Sequence, residues 1–322
     1  MDEKRYGIMS ITQMLDKSIY IHKQNLGTSA LYLFVMSILV AVIGLIFSFI
    51  IIVPVSLLMT SSIILGNGTF ESNFFISMLM LTVFLTLFYY SLESAKQSGI
   101  ITIGSNAFLR KKVDISDAIV SAFKNIFRVI SVVTAGIILF LPVIVMCGWI
   151  LTSIVSNGGY SLEGDTVSIV GIIVLSIVFF IGFAFFMTIH AFAIEVAIIE
   201  KLYFFKALKR SRQLVKGKFW RTFGYIASSF LLLFFINISI YTIFGLAGGI
   251  IYFVLESTGA QEELMSMLLM IGNVVRIPIQ MLVSYFVAPI GGIFTIVLYY
   301  NMRFEKEGYH IALNIANLKN QQ

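Results

Sequence analysis

Residues 24–70 read QNLGTSALYLFVMSILVAVIGLIFSFIIIVPVSLLMTSSIILGNGTF, and no charged side chain falls between Lys23 and Glu71. A hydrocarbon layer roughly 30 Å thick needs about 20 apolar residues of helix to cross it, and this stretch exceeds that requirement. Further uncharged runs fill 72–92, 129–162, 166–194, 222–255, 264–275 and 277–302. Backbone amides must find partners within the segment when lipid surrounds them, so each run closes into a helix. The runs are apolar all round and lack the alternation of a membrane barrel strand. Hydrophobic residues make up 59% of the chain and charged residues 12%, far from the balance of a soluble domain. The expected fold is an all-α polytopic membrane helix bundle, a single integral membrane domain over 1–322. Six spans are predicted, at 28–53, 74–93, 127–156, 167–198, 222–255 and 277–301.

Lys and Arg set the orientation. They cluster before the first span (Lys4, Arg5, Lys17, Lys23), in the second connection (Lys96 to Arg128), in the fourth (Lys201 to Arg221) and in the tail (Arg303, Lys306, Lys319). These segments hold 21 of the 22 basic residues, whereas the intervening connections carry only acids, among them Glu71, Glu163, Asp165 and Glu256. The positive-inside rule then places both termini in the cytoplasm. The net charge of +6 is explained by anionic headgroups on that face, with no nucleic-acid partner required. Cys147 is the single cysteine and lies in an apolar run, which excludes an intramolecular disulfide. No cleavable signal peptide is expected, and the richness in Ile, Lys and Asn suggests a low-GC bacterium. The expected location is a bacterial cytoplasmic membrane.

Three basic segments have helical amphipathic spacing. Ile11, Met14, Leu15, Ser18, Ile19 and His22 form one apolar stripe, with a Ser10–Gln13 capping box at its start. Ile115, Ala118, Ile119, Ala122, Phe123 and Ile126 form a second, capped by Asp114. Phe204, Ala207, Leu208, Ser211 and Val215 form a third, with Gly217 placed to end it. Each precedes a span leaving the cytoplasm, which suggests a threefold repeat of helical hairpins over 10–93, 114–198 and 203–301. Residues 14–32 and 207–225 align without gaps, pairing Leu15 with Leu208, Ser18 with Ser211, Lys23 with Lys216 and Tyr32 with Tyr225. In the third unit, Pro278 predicts a helix break near Ile277, leaving 264–275 on the outer interface or re-entrant.

Residues 197–226 read AIIEKLYFFKALKRSRQLVKGKFWRTFGYI, and residues 298–313 read LYYNMRFEKEGYHIAL. Together they resemble the bacterial glycerophosphoryl diester phosphodiesterase membrane domain and its multi-pass relatives. The matching positions are Glu200, Ala207, Leu208, Arg210, Ser211, Leu214, Gly217, Phe219, Trp220, Arg221, Tyr299, Tyr300, Arg303, Glu307 and Gly308. The resemblance implies a membrane domain without the soluble phosphodiesterase barrel, whose His and Glu cluster is not in this sequence.

No enzymatic chemistry is expected. His22, His190 and His310 stand in no metal-ligand motif, and neither a Gly-x-Ser-x-Gly elbow nor a phosphate loop occurs. Glu262-Glu263 lacks the arginine and membrane histidines of an intramembrane protease. No cofactor is expected. Ionisable groups at membrane depth are the better lead, because burying an unpaired charge costs several kcal/mol. Arg276, His190 and Glu195 are the candidates, and snorkelling or end-of-span pairing accounts for each without a transport path. The other candidate surface is the basic helix at 203–216 and its continuation, with Lys206, Lys209, Arg210, Lys216, Trp220 and Arg221 facing lipid or a membrane or cytoplasmic protein partner. Two functions follow. One is a non-enzymatic protein organising lipid, or supporting a partner complex, through its basic cytoplasmic face. The other is a transporter or permease subunit of an exporter, with a path near Arg276 and His190.

Overall fold

A computed structural model describes residues 6–64, 85, 88–89, 92–94, 96–158, 166–259 and 262–319. These residues contain no strand. They form α1 (Ile11–Gln24), α2 (Leu26–Ile64), a helical stretch α3 (96–108), α4 (Ile115–Gly158), α5 (Thr166–Ile189), α6 (Ala193–Ile199), α7 (Phe204–Val215), α8 (Phe219–Ser257), α9 (Glu262–Glu307) and α10 (Tyr309–Lys319). Among the described residues, five stretches are long and apolar enough to cross a membrane: Leu26–Ile50, Ile115–Met146, Ile173–Ile199, Phe219–Ser257 and Met270–Glu307. The chain is therefore a candidate multi-pass helical membrane protein. The span predicted at 74–93 falls largely outside the described residues.

Several helices are much longer than a bilayer is thick. At 46 residues, α9 is about 69 Å long, more than twice the hydrocarbon layer. One rod thus carries both a lipid-length apolar stretch and a packed end. Its first part is exposed at Met267, Met270, Val274 and Met281, whereas Ile293, Phe294 and Ile296–Tyr300 are buried. The break predicted at Ile277 does not occur, and α9 runs unbroken through Pro278 and Pro289. Proline removes one backbone bond, but ending the helix in an apolar setting would strand several amides. The stretch 264–275 is accordingly the opening of α9 rather than a separate interfacial segment.

The fourth predicted span, by contrast, is interrupted: α5 ends at Ile189, and α6 begins at Ala193 after a turn. The second amphipathic helix is continuous with its span as α4. The apolar stripes also sit slightly differently from their predicted faces. α1 buries Met14, Ser18, Ile21 and His22, while Ile19 is exposed. α4 buries Ala118, Ala122 and Asn125, while Phe123 is exposed.

The described chain forms two compact units, Met1–Phe34 with Ile100–Ala118 and Trp220–Gln322, and Val35–Gly99 with Ile119–Phe219. In the first unit α1 and α10 pack on the buried part of α9. Close approach is set by glycine: a Cβ on Gly104 would lie 2.6 Å from Ile296, and one on Gly292 would lie 2.9 Å from Ile100. Gly291 faces Leu233 in the same way, whereas Gly248 and Gly249 border open space. An aromatic cluster closes this end, with Phe108 stacked on Tyr300 at 4.7 Å and Tyr6 and Phe304 packed near Phe108 and each other. The extended segment before α1 is held by two amide side chains. Asn301 bonds both the N–H (2.8 Å) and the C=O (3.3 Å) of Met9. Asn314 does the same for Tyr6, at 2.9 and 3.0 Å. In the second unit Phe140 packs among Phe179, Phe183 and Phe186 to join α4 to α5.

Candidate functional site

The α5–α6–α7 region of the second unit gathers most of the residues singled out by sequence. The turn between α5 and α6 interrupts the helical ladder, which leaves backbone groups needing partners. Ser211 supplies them. Its hydroxyl accepts the Phe192 N–H at 3.1 Å and donates to the Ile189 carbonyl at 3.0 Å. Phe192 and Ser211 are fully buried, so this one hydroxyl stitches the broken helix to α7. His190 lies within the turn with its Nδ1 buried, and Glu195 is buried in α6. The interruption shows that the two lie on successive short elements and not on two faces of one continuous helix.

The reversal from α6 to α7 is tight. Lys201 and Phe204 both adopt left-handed backbone conformations, with φ of 57° and 50°, each costing about 1 kcal/mol for a residue with a Cβ. Three contacts offset that strain. Arg210 pairs with Glu200 at 2.8 Å, the Phe204 N–H bonds the Ser131 hydroxyl at 3.3 Å, and Arg128 lies over the Tyr203 ring at 5.1 Å. After α7, Gly217 at φ +80° turns the chain into α8, a conformation glycine adopts without penalty.

With Ala207, Leu208, Ser211, Leu214 and Val215 buried, the remaining faces of α7 are fixed outward. Lys206, Lys209, Arg212 and Lys216 are exposed. Of the residues expected to contact lipid, Arg210 is matched by Glu200, and Arg221 pairs with Glu305 at 3.0 Å. Trp220 is 79% exposed at the start of α8. Arg212 was not among the sequence candidates. Yet its spacing was legible, because positions 209, 212 and 216 fall on one side of a helix within about 60°.

Beside that side lies a cleft of about 400 Å³, walled by Lys209, Arg212 and Lys216 and by Phe185, Ile189 and Phe219. Phe185 and Phe219 pack with ring centres 5.0 Å apart. A second cleft, of about 260 Å³ between α8 and α9, has an entirely apolar lining that includes Ile240, Phe244, Leu282 and Phe286. Arg276 lines neither and is exposed on α9. Among the described residues no three His, Cys, Asp or Glu side chains come together as metal ligands.

The residues carrying the family resemblance have legible duties in this geometry. Glu200 and Arg210 close the turn, Ser211 seals the break, and Gly217 reverses the chain. Tyr299 and Tyr300 are buried, Arg303 pairs with Glu307 at 2.9 Å, and Gly308 at φ +63° ends α9. Comparison of the chain with family models, with curated proteins and with solved structures finds no match.

Proposed function

We propose that this is a non-enzymatic multi-pass protein of a bacterial cytoplasmic membrane that engages anionic lipid through its basic cytoplasmic face. The observation that carries this reading is the fixed presentation of α7. Its apolar stripe is buried, its helix is pinned by Ser211 and by the Glu200–Arg210 pair, and Lys206, Lys209, Arg212 and Lys216 face outward beside exposed Trp220. A basic side chain near an anionic bilayer gains about 1 kcal/mol, so this platform suits organising lipid or holding a partner complex at the headgroup layer. The phosphodiesterase membrane-domain resemblance is compatible with such a role and adds no catalytic group. Transport along Arg276 and His190 is less well supported, since Arg276 is exposed on α9 and lines neither cleft.

The test is vesicle capture. The full chain, held in neutral-lipid nanodiscs, should bind phosphatidylglycerol vesicles and ignore phosphatidylcholine ones. The K206E/K209E/K216E variant should bind at least a hundredfold more weakly, given roughly 1 kcal/mol per charge. Equal capture by the variant would overturn the reading. Arg210 is left unchanged in this design because its loss would strand Glu200.

A further inference from the structure

We propose that the cleft between the end of α5 and α7 binds one anionic phospholipid. Its phosphate is held by Lys209, Arg212 and Lys216, and an acyl chain lies on Phe185, Ile189 and Phe219. This deepens the lipid-contact reading above, and rests on it, by naming a discrete site and its ligand.

Four observations converge. The first is charge. Lys209 and Arg212 occupy one side of α7 three residues apart, and Lys216 follows at its C-cap; like charges so spaced on a helix destabilise it by a few tenths of a kcal/mol. No carboxylate lines the cleft, and neither Lys209 nor Arg212 makes an ion pair among the described residues. An anion seated there relieves the repulsion. Arg212 can meet a phosphate with two parallel N–H bonds, and the lysines add point charges.

The second is the opposite wall. Phe185 is 54% exposed although it packs against Phe219, and Val215 is buried at the base of the cleft. A site for a water-soluble phosphate has no use for an exposed aromatic wall, whereas a lipid needs both surfaces side by side.

Depth is the third. Phe185 and Ile189 lie in the last turns of α5 before the interruption within the candidate span Ile173–Ile199, and Phe219 opens the candidate span Phe219–Ser257. The cations therefore stand where a chain entering or leaving the hydrocarbon layer meets headgroups.

The fourth is an internal comparison. The register that pairs Ser18 with Ser211 sets Asp16 against Lys209, Ile19 against Arg212, Tyr20 against Gln213 and Lys23 against Lys216. The cleft-facing positions of α7 carry three positive charges, while their counterparts on α1 carry one acid and one base. The cationic stripe is thus not a by-product of being an amphipathic helix in this chain.

The experiment uses the full chain purified in non-ionic detergent. Native mass spectrometry should find one phosphatidylglycerol retained per chain. After delipidation, titration should give K209Q/R212Q at least tenfold weaker binding than the parent, and F185A should also weaken it. K206Q removes one charge from another side of the same helix and should bind as the parent does. Unfolding temperatures, expected to stay level because Lys209, Arg212 and Phe185 are exposed, exclude misfolding. If K206Q weakens binding as much as K209Q/R212Q, attraction is diffuse and the site is overturned while the lipid-contact function survives. If glycerol phosphate competes as well as phosphatidylglycerol binds, the site takes a soluble anion and the lipid assignment is wrong. Loss of vesicle capture selectivity in every form, the parent included, would remove both proposals together.

Discussion

α1 and α7 have the same pattern and different employment. Both are short amphipathic helices that bury a serine and lead into a long apolar helix. In α1 the Ser18 hydroxyl returns to the Met14 carbonyl of its own helix at 2.6 Å. In α7 the equivalent Ser211 leaves its helix to complete the backbone of another element. The solvent sides differ as well, nearly neutral in α1 and cationic in α7. Two helices of the same pattern can therefore share a kind of packing face and differ in the outer one. The packing face is constrained by close contact, and the outer face only by what it meets.

The strongest way to break this comparison is to remove the two hydroxyls in turn. Ser211→Ala strands the buried Phe192 N–H, at about 1–3 kcal/mol, and the part-buried Ile189 carbonyl, at about 1 kcal/mol. Unfolding in detergent should show a loss of roughly 2–4 kcal/mol. Ser18→Ala removes a bond to a carbonyl that already accepts within its helix, so its cost should stay near or below about 1 kcal/mol. Equal losses for the two variants would mean that the helix interruption is sealed by something other than Ser211.

The glycines give a second contrast, between the packed end of the first unit and its exposed stretches. Gly104→Val forces a side chain against Ile296 and Ile293 and should destabilise by about 1–3 kcal/mol. Gly248→Val meets nothing within 4 Å and should shift stability by no more than about 0.5 kcal/mol. Thermal unfolding of the two variants side by side checks this directly. A smaller effect is expected at the α6–α7 reversal. Glu200→Gln weakens the pair with Arg210, both side chains being a quarter exposed or less, and should cost about 1 kcal/mol. Restoring the parent stability with the double variant Glu200→Gln/Arg210→Gln would show that the cost lay in the uncompensated charge.

Much of this was legible in the sequence because lipid imposes simple rules. Uncharged runs gave the long apolar helices, Ser10 and Gln13 gave the capping box seen at 3.4 and 2.9 Å, and Gly217 gave the end of α7. The misreadings share a cause: each needed a partner distant in the chain. Pro278 reads as a breaker when only local preference is counted, yet the helix persists because its surroundings offer stranded amides no alternative. The α5–α6 interruption is invisible for the converse reason, since the hydroxyl that permits it lies 19 residues later. The cleft was half visible: the cations have helical spacing, but the aromatic wall comes from elements that no periodicity links to them.

His22 gives the finest test of how far α1 differs from α7. Its ring is buried on α1 near the Phe286 backbone of α9. Burial pushes the imidazole pKa below its ordinary 6.5, and the nearby Phe286 carbonyl only partly opposes this. The unfolded chain takes up a proton near pH 6.5, whereas folded His22 does so only at lower pH. Stability from this group is therefore complete above about pH 6.5 and declines as the pH falls below it toward the folded pKa. Unfolding temperatures at about pH 7.5 and 5.5 should differ more for the parent than for His22→Gln, which keeps a polar side chain but cannot titrate. Other groups titrate in the same window, so the informative quantity is the difference between the two proteins. Identical pH profiles would mean that the His22 ring is solvated, and that α1 sits on α9 through its apolar stripe alone.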